Sequence, residues 1–341
     1  MAYSKSSLRT AGWDGTDLVS AAGESALLQE LISLAKVSSP GIEIGPGDDA
    51  AGWQARSPGF VLCSTDTICE GVDFRRGYQT PYQVGWKGWM AAVSDLSAMG
   101  ASPRGGLVAA LVPVETSTEA LLAIQLGVVE AAAVDRAVVL GGDLSRTTGP
   151  LALSVTVLGE VADGAPVALG GGSAGDRIVL TGTLGRAAAA LRALEEGSDS
   201  VRAEWLERLL TPPSRVAAGV ALRRAGCSAM TDLSDGLLLD LDRLCQASGV
   251  GAELWLNRLP LAEGLANSEL GRELALAGGE DFELLATIPE DRLGELAGGW
   301  VAGLPPLALV GVLSPHPGTR LLSAPQGKAL ALPSTAGFSH F

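Results

Sequence analysis

The feature that most constrains this chain is a recurring junction. Short apolar runs give way to glycine- or serine-rich turns, and a carboxylate stands at the break. Asp48 and Asp49 lie in GPGDDAAGW, Asp66 in STDT, Asp95 in VSDLSAMGA and Asp143 in GGDLSRT. TDLSDG adds Asp232 and Asp235, and GGEDFEL adds Glu280 and Asp281. The 45 glycines of the 341 residues fall in these loops without a period, which suits many strand-to-loop and helix-to-strand connections and not collagen or disorder.

Apolar spacing outlines the elements. Gly23 to Val37 puts Leu27, Leu28, Leu31, Leu34 and Ala35 on one helical side. Phe60 to Ser64 reads as a strand that stops at Thr65-Asp66. Tyr82 to Met99 reads as a long helix closed by Gly100, Gly106 to Val114 as a strand and Glu119 to Ala133 as a helix. Ala137 to Leu140 is a strand ending in Gly141-Gly142-Asp143, and Leu151 to Leu158 another. Asp163 to Asp176 is the most linker-like stretch. The expected organisation is therefore a flexible tail over 1–22, an N-terminal domain over 23–162 and a C-terminal domain over 163–341. Past the linker come a strand at Arg177 to Thr181 and a helix at Arg186 to Leu194. Ser234 is expected to cap a helix over Asp235 to Ala247, with Asp240 and Asp242 facing solvent. Phe282 to Thr287 follows as a strand. Neither half alternates strictly strand–helix–strand, so an α/β fold of α+β type is expected in each.

The exclusions are as useful. A net charge of −14, with no basic run, argues against nucleic acid or an anionic membrane as partner. No apolar run is long enough to cross a bilayer. Cys63, Cys69, Cys227 and Cys245 show no CxxC spacing and read as reduced, mostly buried thiols of a cytoplasmic protein. His316 and His340 are the only histidines, which leaves little for a zinc site or a Ser-His-Asp triad. The P-loop pattern Gly-x-x-x-x-Gly-Lys-Ser/Thr is absent.

Any one of the carboxylates is an ordinary turn or cap residue. As a converging set they would repel one another and raise each other's pKa. Divalent cations relieve that, and magnesium is commonly shared between carboxylates and substrate phosphates. Glycines beside the acids (Gly45, Gly47, Gly141, Gly142, Gly278 and Gly279) let backbone N–H groups approach phosphate. Spacing alone thus points to a metal–nucleotide site and leaves the reaction open.

In this order, GPGDDAA, STDT, SDLSAMGA, GGD, LSDGL, GGEDFELL and the closing GFSHF resemble the thiamine-monophosphate kinase family. That family belongs to a superfamily with aminoimidazole ribonucleotide synthetase, selenophosphate synthetase and a hydrogenase-maturation dehydratase. The resemblance runs from about Gly23 to Phe341. It implies two α/β domains, a homodimer, several Mg²⁺ ions and transfer of the ATP γ-phosphoryl group to thiamine monophosphate. By position it implies Mg²⁺ at Asp48, Asp49, Ser64, Thr65, Asp66, Asp95, Asp143, Asp232 and Asp235. It implies ATP contacts at Gly142, Asp143 and Ser234, and substrate contacts at Asp73, Glu280 and Phe338. No general base is expected, because a phosphate acceptor is largely ionised at neutral pH. The sequence departs from the family at Asp73, where histidine is usual, at Ala92, where asparagine is usual, and at Leu169, where a basic residue is usual. A paralogue acting on another small phosphate, or a nucleotide-binding protein without turnover, are the alternative expectations.

Overall fold

The computed structural model describes residues 42–44, 51–54, 59–113, 116, 118–198, 200–266, 268–333 and 337–338. The expected helix at Gly23 to Val37, and Asp48 and Asp49, lie outside them. Residues up to 161 build a six-stranded sheet in the order β1-β2-β3-β6-β4-β5. Its strands are β1 (Ile42–Ile44), β2 (Ala51–Gln54), β3 (Phe60–Cys69), β4 (Ser102–Pro113), β5 (Val138–Thr147) and β6 (Ala152–Val161). Burial alternates residue by residue along β6, as it must in a sheet with one covered face. On that face Val155 and Val157 pack against Trp89, Val93 and Leu96 of helix α1 (Pro81–Ala98).

Helix α1 has strong local reasons to form. Thr80 and Gln83 make a reciprocal capping box, and Pro81 occupies the first turn, where its missing N–H costs nothing. The chain leaves the helix through Gly100 at φ 66°. Helix α2 (Thr118–Val134) lies close against α1 because both carry glycine at the crossing. A Cβ at Gly85 would fall 1.9 Å from the Ile124 carbonyl oxygen, and one at Gly127 2.0 Å from that of Tyr82.

Two strands outrun the sequence expectation. β3 continues through Ser64, Thr65 and Asp66, paired with β6 from Phe60 opposite Val161 to Cys69 opposite Ala152. β5 runs through Gly141-Gly142-Asp143 to Thr147, paired in parallel with β4. The glycines that look like a turn serve a bulge instead: the register shifts there, and a Cβ on Gly142 would lie 1.9 Å from the Val108 carbonyl oxygen.

The second sheet, β13-β12-β9-β11-β7-β10-β8, takes all its strands from residue 177 onward. They are β7 (Arg177–Thr181), β8 (Ala229–Asp232), β9 (Gly251–Trp255), β10 (Leu284–Ile288), β11 (Leu307–Ser314), β12 (Gly318–Leu322) and β13 (Ala329–Leu330). Between them lie α3 (Arg186–Glu195), α4 (Ala203–Leu210), α5 (Val216–Arg224), α6 (Leu237–Ser248), α7 (Glu269–Ala277) and α8 (Leu293–Gly299). Ile178, Leu180, Leu241, Leu254 and Leu285 form the centre of its core. The end of α1 is tied to this half by the Val167 N–H on the Met99 carbonyl (3.1 Å) and by Arg223 Nε on that of Gly100 (3.0 Å).

Helix α6 corrects two expectations. Its N-cap is Gly236, at φ 121°, and not Ser234. Asp240 is 2% exposed rather than solvent-facing, because it reaches back to accept the N–H groups of Asp235 (3.1 Å) and Gly236 (3.0 Å). Asp242 is half-buried and bonded to Gln246. The four cysteines form no disulfide, and only Cys245 is fully buried. Burial pushes the Cys227 and Cys245 thiols up to about 12, so neither offers a thiolate near neutrality. No helix among the described residues is long and apolar enough to cross a membrane.

Candidate active site

A cleft of about 860 Å³ is lined by β3, α1, α3 and the segments 234–235, 277–282 and 337–338. Helix α1 gives it Lys87, Ala91 and Asp95, spaced by four so that they share one face. The alternation of β3 turns Ser64 and Asp66 toward α1, and the Ser64 hydroxyl donates to the Asp95 carboxylate. Thr65 alternates to the other side of the strand, its hydroxyl 2.9 Å from that of Thr156, and still lines the cleft. Asp232 closes β8, 4% exposed, and accepts from the Ser94 hydroxyl of α1. Asp235 stands three residues on and takes a hydrogen bond from Arg243.

These carboxylates feel one another. Burial, then the charge of Asp232, then that of Asp66 hold the Asp95 carboxyl well above the usual range, against the Ser64 hydrogen bond. Burial first, with the charges of Asp235 and Asp66 adding, pushes Asp232 up to about 6 despite the Ser94 hydroxyl. Asp240 behind them is raised by burial and by Asp232 and Asp235. Among the described residues no three Asp, Glu, His or Cys side chains already stand as a metal-holding group. The donor set is nevertheless hard oxygen throughout, with repulsion that a divalent cation would relieve.

The opposite wall is the loop Gly278–Phe282. Glu280 and Phe282 adopt φ of 68° and 46°, a left-handed conformation that costs side-chain-bearing residues on the order of 1 kcal/mol each. Two backbone bonds hold the loop there: the Glu280 N–H to the Ser234 carbonyl (2.7 Å) and the Phe282 N–H to that of Leu233 (2.9 Å). Glu280 then faces the cleft and pairs with Lys87, which is 1% exposed and also donates to the Asp73 carbonyl at 2.7 Å. The Asp73 side chain itself accepts the Cys69 N–H (2.7 Å), closing its own turn at the cleft rim. Phe338 closes another side, its N–H on the Asp235 carbonyl (3.0 Å) and its ring 44% exposed.

Asp281 points the other way. It caps the start of α3 through the Gly185 N–H at 2.6 Å, and burial, outweighing that bond and Arg208, pushes its carboxyl up to about 7. The folded state therefore holds this proton more tightly than the unfolded chain, whose carboxyl titrates near 3.8. Its contribution to stability is full below about pH 4 and is lost as pH rises through 7. Asp281→Asn is expected to flatten the fall in unfolding free energy, measured by urea titration, between pH 5 and 8 in EDTA, by on the order of a few kcal/mol.

Gly142 and Asp143 do not join this group within the chain. Across the sheet Asp66 aligns with Val155, Val155 with Val108 and Val108 with Gly142, a separation of three strand spacings, or about 14 Å. Asp143 is exposed and accepts from Ser145 at 2.9 Å.

Residues 47–161 match the N-terminal domain of AIR synthase related proteins, and residues 173–321 the C-terminal domain. The thiamine-monophosphate kinase of Rhodopirellula baltica is 37% identical over 74% of this chain and 78% of its own. The chain belongs to the thiamine-monophosphate kinase family. The structure of AaThiL complexed with AMPPCP and TMP superposes with a TM-score of 0.82, at 29% identity, over 96% of this chain and 99% of that one. The thiamine-monophosphate kinase of Stenotrophomonas maltophilia gives 0.72 at 33% identity, covering 89% and 96%.

Sequence reasoning missed part of this family member's cleft. Lys87 carries no motif of its own; the usable signal was its spacing of four and eight from Ala91 and Asp95 on a helix already marked. Asp240 lies on the buried face of α6 and not on the solvent face its polarity suggests, and the wall formed by Ala187, Ala188 and Leu191 of α3 offers only small or apolar side chains, which no motif marks.

Proposed function

We propose that this chain transfers the γ-phosphoryl group of ATP to thiamine monophosphate, giving thiamine diphosphate, by direct Mg²⁺-assisted transfer. The observation that carries the reading is one cleft in which Asp66, Asp95 and Asp235 face Glu280 and Phe338, with Asp232 buried just behind. Its relatives are kinases, and the chain is an enzyme of that phosphotransferase class. Asp66, Asp95, Asp232 and Asp235, with Ser64, Thr65, Asp48 and Asp49, would hold several Mg²⁺ ions. Bound there, magnesium would neutralise the charge of ATP and of the acceptor phosphate. Ser64 and Ser94 hold the Asp95 and Asp232 carboxylates in place, and Lys87 fixes Glu280. Phe338 offers its face to the thiamine rings. ATP would meet Ser234 together with Gly142 and Asp143, and Asp73, which lines the cleft, would meet the substrate.

The same reading makes the protein a homodimer in the cytoplasm, divided near residue 162, with no nucleic acid or membrane partner. β4 and β5 expose Leu107, Leu111, Val138, Leu140 and Leu144, an apolar edge suited to a second copy. A second copy would also explain Asp143, which stands too far from Asp66 to share a metal with it in one chain. Mixing Asp66→Asn with Asp143→Asn protein is then expected to restore about one quarter of wild-type turnover, since one site in each hybrid is intact. No recovery would assign Asp143 to some other role.

The deciding assay is thiamine diphosphate formation from thiamine monophosphate and ATP in excess Mg²⁺, with an EDTA control. Metal-dependent product is the expected result. Metal-dependent ATP binding without product would move the assignment to a paralogue with another acceptor, or to a binding protein without turnover.

A further inference from the structure

Behind the Gly278–Phe282 loop lies a second cavity, of about 320 Å³, that the proposed reaction does not use. Three guanidinium groups line it: Arg186 at the start of α3, Arg208 near the end of α4 and Arg215 just before α5. Thr183 and Ser214 add polar groups, and Pro305 and Pro306 close one wall. Two of the arginines are spoken for. Arg215 grips the fully buried Glu283 through Nε and Nη2 at 2.5 and 2.6 Å, and Arg208 reaches the same carboxylate at 2.8 Å. Arg208 is itself only 5% exposed and also donates to the Asp281 carbonyl at 3.0 Å.

Arg186 is different. It makes no ion pair among the described residues, and its Nε is buried without a hydrogen-bond partner. A buried N–H left unpaired is costly, so an orphan on a charged group beside a cavity marks the place for an acceptor. Glu204, which Arg186 stabilises from a distance, is half-buried and engaged by Arg202 at 2.6 Å. Glu283 answers Arg208 and Arg215, and Asp135, bonded to the lining Ser214 hydroxyl, forms no ion pair with Arg186 among the described residues. The cavity's volume is at the lower end of small-ligand pockets. Guanidinium forks match tetrahedral oxyanions, and several donors around one point suit a dianion better than a halide.

We propose that this arginine-lined cavity is a binding site for a small phosphate-class anion, either free phosphate or diphosphate or the phosphate group of a small metabolite. Glu280 and Phe282 line the catalytic cleft, while Asp281 caps α3 one residue before Arg186 and Glu283 holds the Arg208 and Arg215 that line this cavity. An anion on Arg186 therefore braces the loop from behind. The site stands independently of the kinase reading, because it needs no divalent metal.

That independence sets the test. The full chain is stripped of metal and held in EDTA, where the acidic cleft repels anions, and its thermal midpoint is followed against inorganic phosphate, pyrophosphate or ribose 5-phosphate. Ionic strength is matched with sodium chloride. At a hundredfold excess over the dissociation constant, the expected rise is on the order of 4 °C. A larger response to ribose 5-phosphate assigns the site to an esterified phosphate, and a larger response to phosphate or pyrophosphate assigns it to the free anion. Arg186→Gln leaves the Glu283 pairs intact and is expected to lose the response at least tenfold in anion concentration. No rise with any of the three anions, or an equal rise in Arg186→Gln, overturns the proposal. Failure of the kinase assay would leave this result untouched.

Discussion

Asp66→Asn is expected to lose at least about a thousandfold in turnover while keeping the wild-type thermal midpoint in EDTA within a degree or two. The cause is electrostatic. Asp66 is one of the charges that raise Asp95 and Asp232, so removing it relieves repulsion in the metal-free protein. Metal bound to a phosphoryl-transfer site is worth several kcal/mol in the transition state, and each 1.36 kcal/mol is a factor of ten in rate, hence about three decades. Stability and activity should therefore part company in this variant: activity collapses while the metal-free fold is unchanged or slightly firmer. Steady-state kinetics with a magnesium titration, beside thermal melts in EDTA, reads both. A variant that keeps normal turnover would remove Asp66 from the metal set. One that melts far below wild type without metal would recast it as a structural residue.

The largest effect on stability is expected from Glu283→Ala. Glu283 is fully buried and accepts from Thr181 Oγ1 at 2.7 Å as well as from Arg208 and Arg215. Burial already pulls the Arg208 guanidinium below its ordinary pKa, with the Glu283 charge opposing. Removing the carboxylate strands two guanidinium groups in low dielectric, and breaking a buried pair in this way costs about 3–5 kcal/mol. The cost belongs to the orphaned charges and not to the pair itself. Arg208→Met combined with Glu283→Leu is accordingly expected to recover a large part of the loss. Urea denaturation of the single and double variants makes the comparison. Equal destabilisation of both would show that Glu283 acts through packing rather than charge.

Much of the candidate site was legible in the chain because the residues that bear it are short-range objects. Asp66, Asp95, Asp232 and Glu280 each sit in a motif of four to eight residues, and α1 announces itself by its capping box and the glycine that ends it. The strand interiors were found from their apolar runs, as on β6 and β7. The ends of β3 and β5 were not, because a ladder partner from another part of the chain carries a strand through residues that locally prefer a turn. Gly141 and Gly142 have the composition of a phosphate loop, yet Gly142 meets the backbone of β4 at Val108 and Gly141 the side chain of Leu107.

The sequence by itself determined the chemical inventory: hard carboxylate donors, no histidine pair, no P-loop, and the order of motifs that joins this chain to its family. Only the tertiary structure decided which of those groups meet. Alternation on β3 turns Thr65 toward Thr156 while Ser64 faces Asp95, and spacings of four and eight on α1 bring Lys87 in beside Ala91 and Asp95. Three strand spacings set Asp143 apart from Asp66, and the left-handed backbone at Glu280 and Phe282 aims Glu280 into the cleft while Asp281 caps α3 behind it. Convergence depends on which face each residue presents and on what packs against it, and those are properties of long-range pairing that no local window contains.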